Sequence, residues 1–152
     1  VIALNFGAIF LALVNKEITP LAKQFTLGKK ERLKSRKAIE HLFKEGNRFN
    51  AGPFRIFFAF LPEQGIAMGA GVSARNFKKA VDRNRIKRLI REAYRHQKLS
   101  LQQKLFEKGK GLHVFIIYTA KELPLYSEVY ESLHSILNRL IKKTDENIAA
   151  NT

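Results

Sequence analysis

The stretch RNRIKRLIREAYR occupies residues 83–95 and carries six cations, Arg83, Arg85, Lys87, Arg88, Arg91 and Arg95, against one anion, Glu92. On a helical wheel at about 100° per residue, Ile86, Leu89, Ile90 and Ala93 fall on one arc, the stripe that would pack on a sheet. Asn84, Lys87, Arg88, Arg91 and Arg95 share another arc, while Arg83 and Arg85 flank the apolar stripe. The helical period therefore sorts the charges onto a solvent face. Like charges four residues apart destabilise a helix by roughly 0.2–0.5 kcal/mol per pair, so the Lys87–Arg91–Arg95 ladder is a small, systematic cost. A phosphate backbone would remove it, each neutralised phosphate also releasing condensed counterions. Arginine suits bidentate contact with phosphate where lysine offers a point charge. Asn84, a poor helix former in the middle of the basic arc, is placed to hydrogen-bond to a nucleotide. The competing reading is a plain solvated basic face.

The whole chain shares the bias. Its 152 residues hold 28 Lys and Arg against 13 Asp and Glu, a formal net charge of +15. Such a field attracts polyanions and speeds their capture, which makes nucleic acid the first candidate partner and an anionic membrane surface the second. With 45% hydrophobic residues, the chain is long enough for one folded domain with tails. It has no cysteine, which excludes disulfides, thiolate metal sites and a cysteine nucleophile. The four histidines, His41, His96, His113 and His134, are dispersed without metal-ligand spacing. Asp82 and Glu92 stand ten apart among cations, and Ser73 has no evident base beside it. The polypeptide is therefore expected to supply no chemistry of its own.

Upstream of the basic helix, KKERLKSRK (29–37) is a cationic lead-in. Ser35 is expected to cap a short helix with Ala38, Ile39, Leu42 and Phe43 at helical spacing, ended by Gly46. FRIFFAFL (54–61) reads as a strand, PEQG (62–65) as a turn, and IAMGAGV (66–72) as the hairpin partner. Along the first strand Phe54, Ile56, Phe58 and Phe60 point one way, and Arg55, Phe57, Ala59 and Leu61 the other. A charge at Arg55 does not belong in a core, so its face is the open one. Phe57 is then expected as an accessible aromatic beside a cation. The loop SARNFKK (73–79) leads into the basic helix, whose start is placed between Lys78 and Asp82.

Downstream, residues 96–112 are polar, with GKG (109–111) as a loop, and HVFIIY (113–118) reads as a strand buried on both faces. Ser127 is expected to cap a last helix with Val129, Leu133, Ile136, Leu137 and Leu140 on one face, and the tail 144–152 to fray. The apolar run VIALNFGAIFLALV (1–14) is shorter than the ~20 residues that cross a bilayer and lacks the pattern of a secretory signal. Residues 1–25 are read as an N-terminal extension, poorly ordered or carried over from an upstream start. A basic surface with the aromatics Phe43 and Phe57 nearby is the composition for single-stranded nucleic acid.

RNRIKRLIRE (83–92) resembles the signature of the protein subunit of bacterial ribonuclease P. RLKSRKAIEHLFKEG (32–46), the strand 54–61, MGAGVSARNFKKAVDRNRIKR (68–88), VFIIYT (114–119) and the last helix follow that family in order. The resemblance spans about residues 29–143, within a domain placed at 26–143. It implies an α+β fold: a two-layer α/β sandwich (ribosomal protein S5 domain 2-like) of a four-stranded sheet and about three helices. A short fourth strand near residues 47–51 and a left-handed βαβ crossover, against the right-handed rule, belong to that implication.

The resemblance also implies a function. The catalyst is an RNA, and the protein joins it, one to one, in a cytoplasmic holoenzyme that cuts precursor tRNA at the mature 5′ end. The motif helix, with Arg83, Asn84, Arg85, Lys87, Arg88, Arg91 and Arg95, would lie against the catalytic RNA, helped by Arg75, Lys78 and Lys79 in the preceding loop. The single-stranded 5′ leader would enter a cleft between the first helix and the sheet, lined by Ile39, Phe43, Arg55 and Phe57. Mg2+ would be held by the RNA and substrate phosphates and not by a dedicated protein site. Two positions depart from the family pattern. Ile39 stands where many members place an aromatic, and Ala74 where a lysine is common, leaving Arg75 as the loop's cation of that pair. The alternatives are a ribosomal-type RNA-binding module without effect on tRNA ends, and a membrane-surface protein suggested by the apolar start beside a basic stretch. A basic-zipper DNA binder is disfavoured, since no leucine heptads follow Arg95.

Overall fold

The computed structural model describes residues 25–150; the expectation for the extension 1–25 lies, but for Phe25, outside the described residues. A single turn of 3₁₀ helix at Lys29–Glu31 precedes α1 (Arg36–Glu45). Ser35 caps α1 as its sequence position suggested, its Oγ accepting from the Ala38 N–H at 3.4 Å, and Gly46 ends it with its N–H donating to the Leu42 carbonyl. Strands β1 (Asn47–Ala51), β2 (Phe54–Leu61) and β3 (Gly65–Val72) follow, then helices α2 (Ala80–Gln97) and α3 (Leu99–Glu107), strand β4 (Gly111–Tyr118) and the long α4 (Tyr126–Ala150).

The four strands form one sheet in the order β1-β2-β4-β3. β1 and β2 pair antiparallel, as do β2 and β4, while β3 and β4 run parallel. This corrects the hairpin expected between 54–61 and 66–72: the turn at 62–65 joins strands that are two places apart, and β4 lies between them. The apolar β4 gains ladder partners on both edges there, and α2 and α3 bridge the parallel β3–β4 pair. Glycines in β3 make the insertion possible. A Cβ at Gly69 would stand 2.5 Å from Cδ2 of Phe115, and one at Gly71 2.8 Å from its Cε1, so the ring lies against bare backbone.

Three helices cover one face of the sheet. Ile86, Ile90, Ala93 and Tyr94 of α2, Leu101 and Leu105 of α3, and Val129, Leu133, Ile136, Leu137 and Leu140 of α4 bury themselves against the inward residues of β2, β3 and β4. Among the described residues the other face carries only α1, over a smaller cluster of Leu33, Leu42 and Phe57. The result is the two-layer α+β body, with four α-helices among the described residues where about three were expected.

That additional helix, α3, lies where 96–112 reads as polar chain. Its signal in sequence is slight, because only Leu101 and Leu105, one turn apart, are buried and polar residues surround them. β4 is also less buried than its composition suggests. Its residues alternate, with His113, Phe115 and Ile117 half-exposed on the α1 face. At α4, Ser127 sits inside the first turn, and Glu128, also in that turn, reaches back to accept from the Leu125 N–H at 3.3 Å. α4 continues past Lys143 to Ala150. Thr144 is buried with its hydroxyl donating to the Leu140 carbonyl at 2.8 Å. Lys104 pairs with Asp145 at 2.9 Å, and Lys110 donates to Asn147 at 2.5 Å, which ties the helix back to α3 and to the loop before β4.

Candidate nucleic-acid interface

The apolar stripe of α2 sits where the helical period placed it, with Leu89 half-buried and Tyr94 widening the buried arc. This turns Asn84, Arg85, Arg88 and Arg91 to solvent and leaves Lys87 half-buried. Arg88 and Arg91 have no hydrogen-bond or ion-pair partner among the described residues, and both are free to fork onto phosphate oxygens.

The motif's other cations are not equivalent to these. Arg83 is half-buried, and its Nη1 donates to the carbonyls of Phe77 at 2.7 Å and Lys78 at 2.8 Å, fastening the loop to the first turn of the helix. Phe77 is itself buried, and Asn76 Nδ2 donates to the Thr119 carbonyl at 2.8 Å. Arg75, Lys78 and Lys79 are thereby presented, exposed, just ahead of α2. At the far end Arg95 donates to the Phe25 carbonyl at 3.0 Å and pairs with Glu92, which also meets His96 Nε2 at 3.0 Å. The hydrogen bond from Arg95, with His96 adding to it, holds the Glu92 carboxyl below the usual range despite slight burial.

A buried ion pair docks the lead-in against this helix. Lys98, 1% exposed at the α2–α3 junction, points Nζ at Glu31 Oε1, 2.6 Å away, and at the Thr26 carbonyl. Glu31 also accepts from Gln102 Nε2 at 3.0 Å and from the Gly28 N–H at 2.8 Å. Burial pushes its carboxyl up, but the lysine and the converging donors outweigh that and leave it below the ordinary value. From there the chain rounds the β3 edge, where the Leu33 N–H donates to the Met68 carbonyl at 2.9 Å, and enters α1 on the opposite face.

The aromatic surface lies on that opposite face. Register puts Arg48, Phe57, Phe115 and Gly69 in one cross-sheet row, and Asn50, Arg55, Ile117 and Gly71 in the next. Phe43 descends from α1 onto the first row, its ring centroid 4.8 Å from Phe57 and 5.2 Å from Phe115. Phe57 was expected to be accessible and is instead buried, since Phe43, Leu33 and Leu42 close over it. Phe43 remains 39% exposed and Ile39 half-buried, so both are apolar groups of α1 that a ligand can reach. Arg55 is exposed as expected and shares a cavity of about 300 Å³ with Arg48, Phe49 and Asn50.

Phe115 and Arg48 belong to this surface and were missed in the sequence. Strict alternation along β4 would have exposed Phe115, whereas Arg48 becomes visible only once β1 is paired with β2. The basic helix and the aromatic surface lie on opposite faces of the sheet, joined around the β3 edge by the lead-in. Such a body can hold a polyanion on α2 and, separately, an unpaired strand against Phe43. Among the described residues no group of three His, Asp or Glu is arranged to hold a metal ion, and no helix is long and apolar enough to cross a membrane.

Comparison with known proteins places this geometry. A family model described as Ribonuclease P matches residues 27–143. The ribonuclease P protein component of Porphyromonas gingivalis is 35% identical over 119 residues, covering 76% of this chain and 87% of that protein. That of Chlorobaculum tepidum is 30% identical over 129 residues, covering 74% and 84%. Among solved structures, the ribonuclease P protein of Thermotoga maritima superposes with a TM-score of 0.58 at 28% identity, over 72% of this chain and 96% of that one. The Staphylococcus aureus protein, at 21% identity and a TM-score of 0.56, shares the fold.

Proposed function

The chain belongs to the ribonuclease P protein family, and from that membership we propose that it is the protein subunit of a ribonuclease P whose catalytic component is RNA. It binds that RNA through the outward arc of α2, one protein to one RNA, and receives the 5′ leader of precursor tRNA on the α1 face of the sheet. Removal of the leader then generates the mature tRNA 5′ end, in the cytoplasm. Magnesium belongs, on this reading, to the phosphates of the RNA and the substrate.

The observation that carries the proposal is the division of labour between the two faces. On α2 the guanidinium groups of Arg88 and Arg91 are unpaired among the described residues, and arginines so placed take phosphate oxygens in pairs. On the other face Phe43 offers a partly open ring over Phe57, in the cross-sheet row that carries Arg48 and next to the row that carries Arg55, an arrangement that can stack an unpaired base while holding its backbone. The polypeptide neutralises charge and positions the leader, and the bond is broken by the RNA.

Photocrosslinking tests this assignment. A photoreactive residue at position 91 of the holoenzyme should crosslink to the catalytic RNA, and one at position 43 to the leader of a bound precursor. Crosslinks from position 43 that are the same for precursor and mature tRNA would overturn the leader assignment.

A further inference from the structure

The lead-in meets α2 in an unusual way: two cationic segments are held against each other. Arg32 lies across from Arg88, Arg91 and Arg95, and together with Thr26, Leu27 and Glu92 they enclose a half-open cavity of about 550 Å³. Four guanidinium groups line it against a single carboxylate, and that carboxylate already serves Arg95 and His96. Arg32 Nε donates to the Leu27 carbonyl at 3.2 Å, which fixes its plane and leaves its terminal nitrogens for another acceptor. Left to electrostatics alone, these segments would separate. They are kept together by the Glu31–Lys98 pair, the Arg95–Phe25 bond and the bond from Lys98 to the Thr26 carbonyl. A fold that uses buried contacts to hold like charges around a hollow has built a site for an anion, whose arrival relieves the repulsion.

We infer that this cavity is a phosphodiester pocket of the RNA interface, in which Arg32 from the lead-in and Arg88 and Arg91 from α2 grip one backbone phosphate from two sides. The inference rests on the proposed binding of RNA by α2 and adds a second wall to it. Its chemistry is that of the RNA backbone: the partly open cavity admits a phosphate on a chain, and guanidinium groups contributed from two elements can each take one of its two non-bridging oxygens. Arg32 takes no part in the basic arc read from the helical wheel, because it reaches the site through tertiary structure alone.

The test is the salt dependence of binding between the full chain and the ribonuclease P RNA of the same organism, for wild type, Arg32→Gln, Arg32→Lys and Arg91→Gln. Loss of one phosphate contact should make the slope of log K against log salt shallower by roughly 0.7–0.9. Arg32→Gln is expected to show that change and about a tenfold weaker binding, with Arg32→Lys recovering the slope. Thermal melts establish that each variant is folded. If Arg91→Gln lowers slope and affinity while Arg32→Gln matches wild type, the pocket is refuted and binding by α2 stands. If neither variant changes the slope, both fall.

Discussion

Phe57 lies beneath Phe43, ring centroids 4.8 Å apart, and of the two only Phe43 presents a face to solvent. This separates recognition from support within one aromatic pair. Phe43→Ala should weaken binding of leader-bearing precursor by roughly 1–3 kcal/mol, the worth of a base stacked on an aromatic ring, while mature tRNA binds as before. Phe57→Ala should instead cost about 3–5 kcal/mol of stability, as for other buried phenylalanines. Thermal or urea melts together with leader-dependent binding check both. A Phe43→Ala variant that discriminates leader-bearing from mature tRNA as well as wild type does would remove Phe43 from the cleft.

The arginines of the motif should divide in the same manner. Arg88→Ala removes a side chain with no partner among the described residues, so stability should change by no more than about 0.5 kcal/mol while RNA affinity falls and its salt dependence flattens. Arg83→Ala strips the Phe77 and Lys78 carbonyls of their donor and should cost roughly 1–3 kcal/mol of stability. Melting curves beside a salt titration of RNA binding distinguish the two. Equal losses of stability in both variants would contradict the division.

Acid should loosen the lead-in. The carboxyls of Glu31 and Glu92 both titrate below their ordinary value of 4.5 in the folded chain. Groups shifted downward contribute stability that is present above the unfolded value and lost as pH falls through the folded one. The chain should therefore lose stability below about pH 4.5, and Glu31→Gln should flatten part of that loss. At neutral pH Glu31→Gln leaves Lys98 buried without its counter-charge, a change that costs about 3 kcal/mol in comparable pairs. Urea melts across pH 3–7 measure both effects, and an unaltered acid limb in the variant would count against the buried pair as its source.

Gly69→Ala tests the packing that admits β4. The new methyl would meet the Phe115 ring at 2.5 Å, and the ring must tilt away from β3. A loss of about 1–3 kcal/mol is expected from such overpacking, together with weaker leader binding, because Phe43 rests on the same ring. The corresponding change at Gly52, where no atom lies within 4 Å of the added carbon but φ is +55°, would act through backbone strain alone and should leave the leader untouched.

Much of this architecture could be read from the residues. The stripe Ile86, Leu89, Ile90 and Ala93, the cap at Ser35 and the buried face of α4 follow from local periodicity, and the structure keeps them. What escaped depends on partners distant in sequence. The burial of Phe57 requires α1 to cross its face, the place of β4 between β2 and β3 requires the bare backbone at Gly69 and Gly71, and α3 has only two buried leucines to announce it. The motif's cations look alike in sequence, yet Arg83 and Arg95 are tied to carbonyls contributed by the loop and the lead-in. Arg32 is the converse: an unremarked member of a basic run that tertiary structure brings to the helix.

The most direct test of the whole account is reconstitution of 5′ processing. Purified protein is combined with the ribonuclease P RNA of its own organism and a precursor tRNA at near-physiological magnesium, and the mature 5′ end is quantified against the RNA alone. The account predicts cleavage at the mature end at a rate well above that of the RNA by itself, with the gain reduced by Arg88→Ala and by Phe43→Ala. Cleavage no faster with the protein than without it would contradict the account.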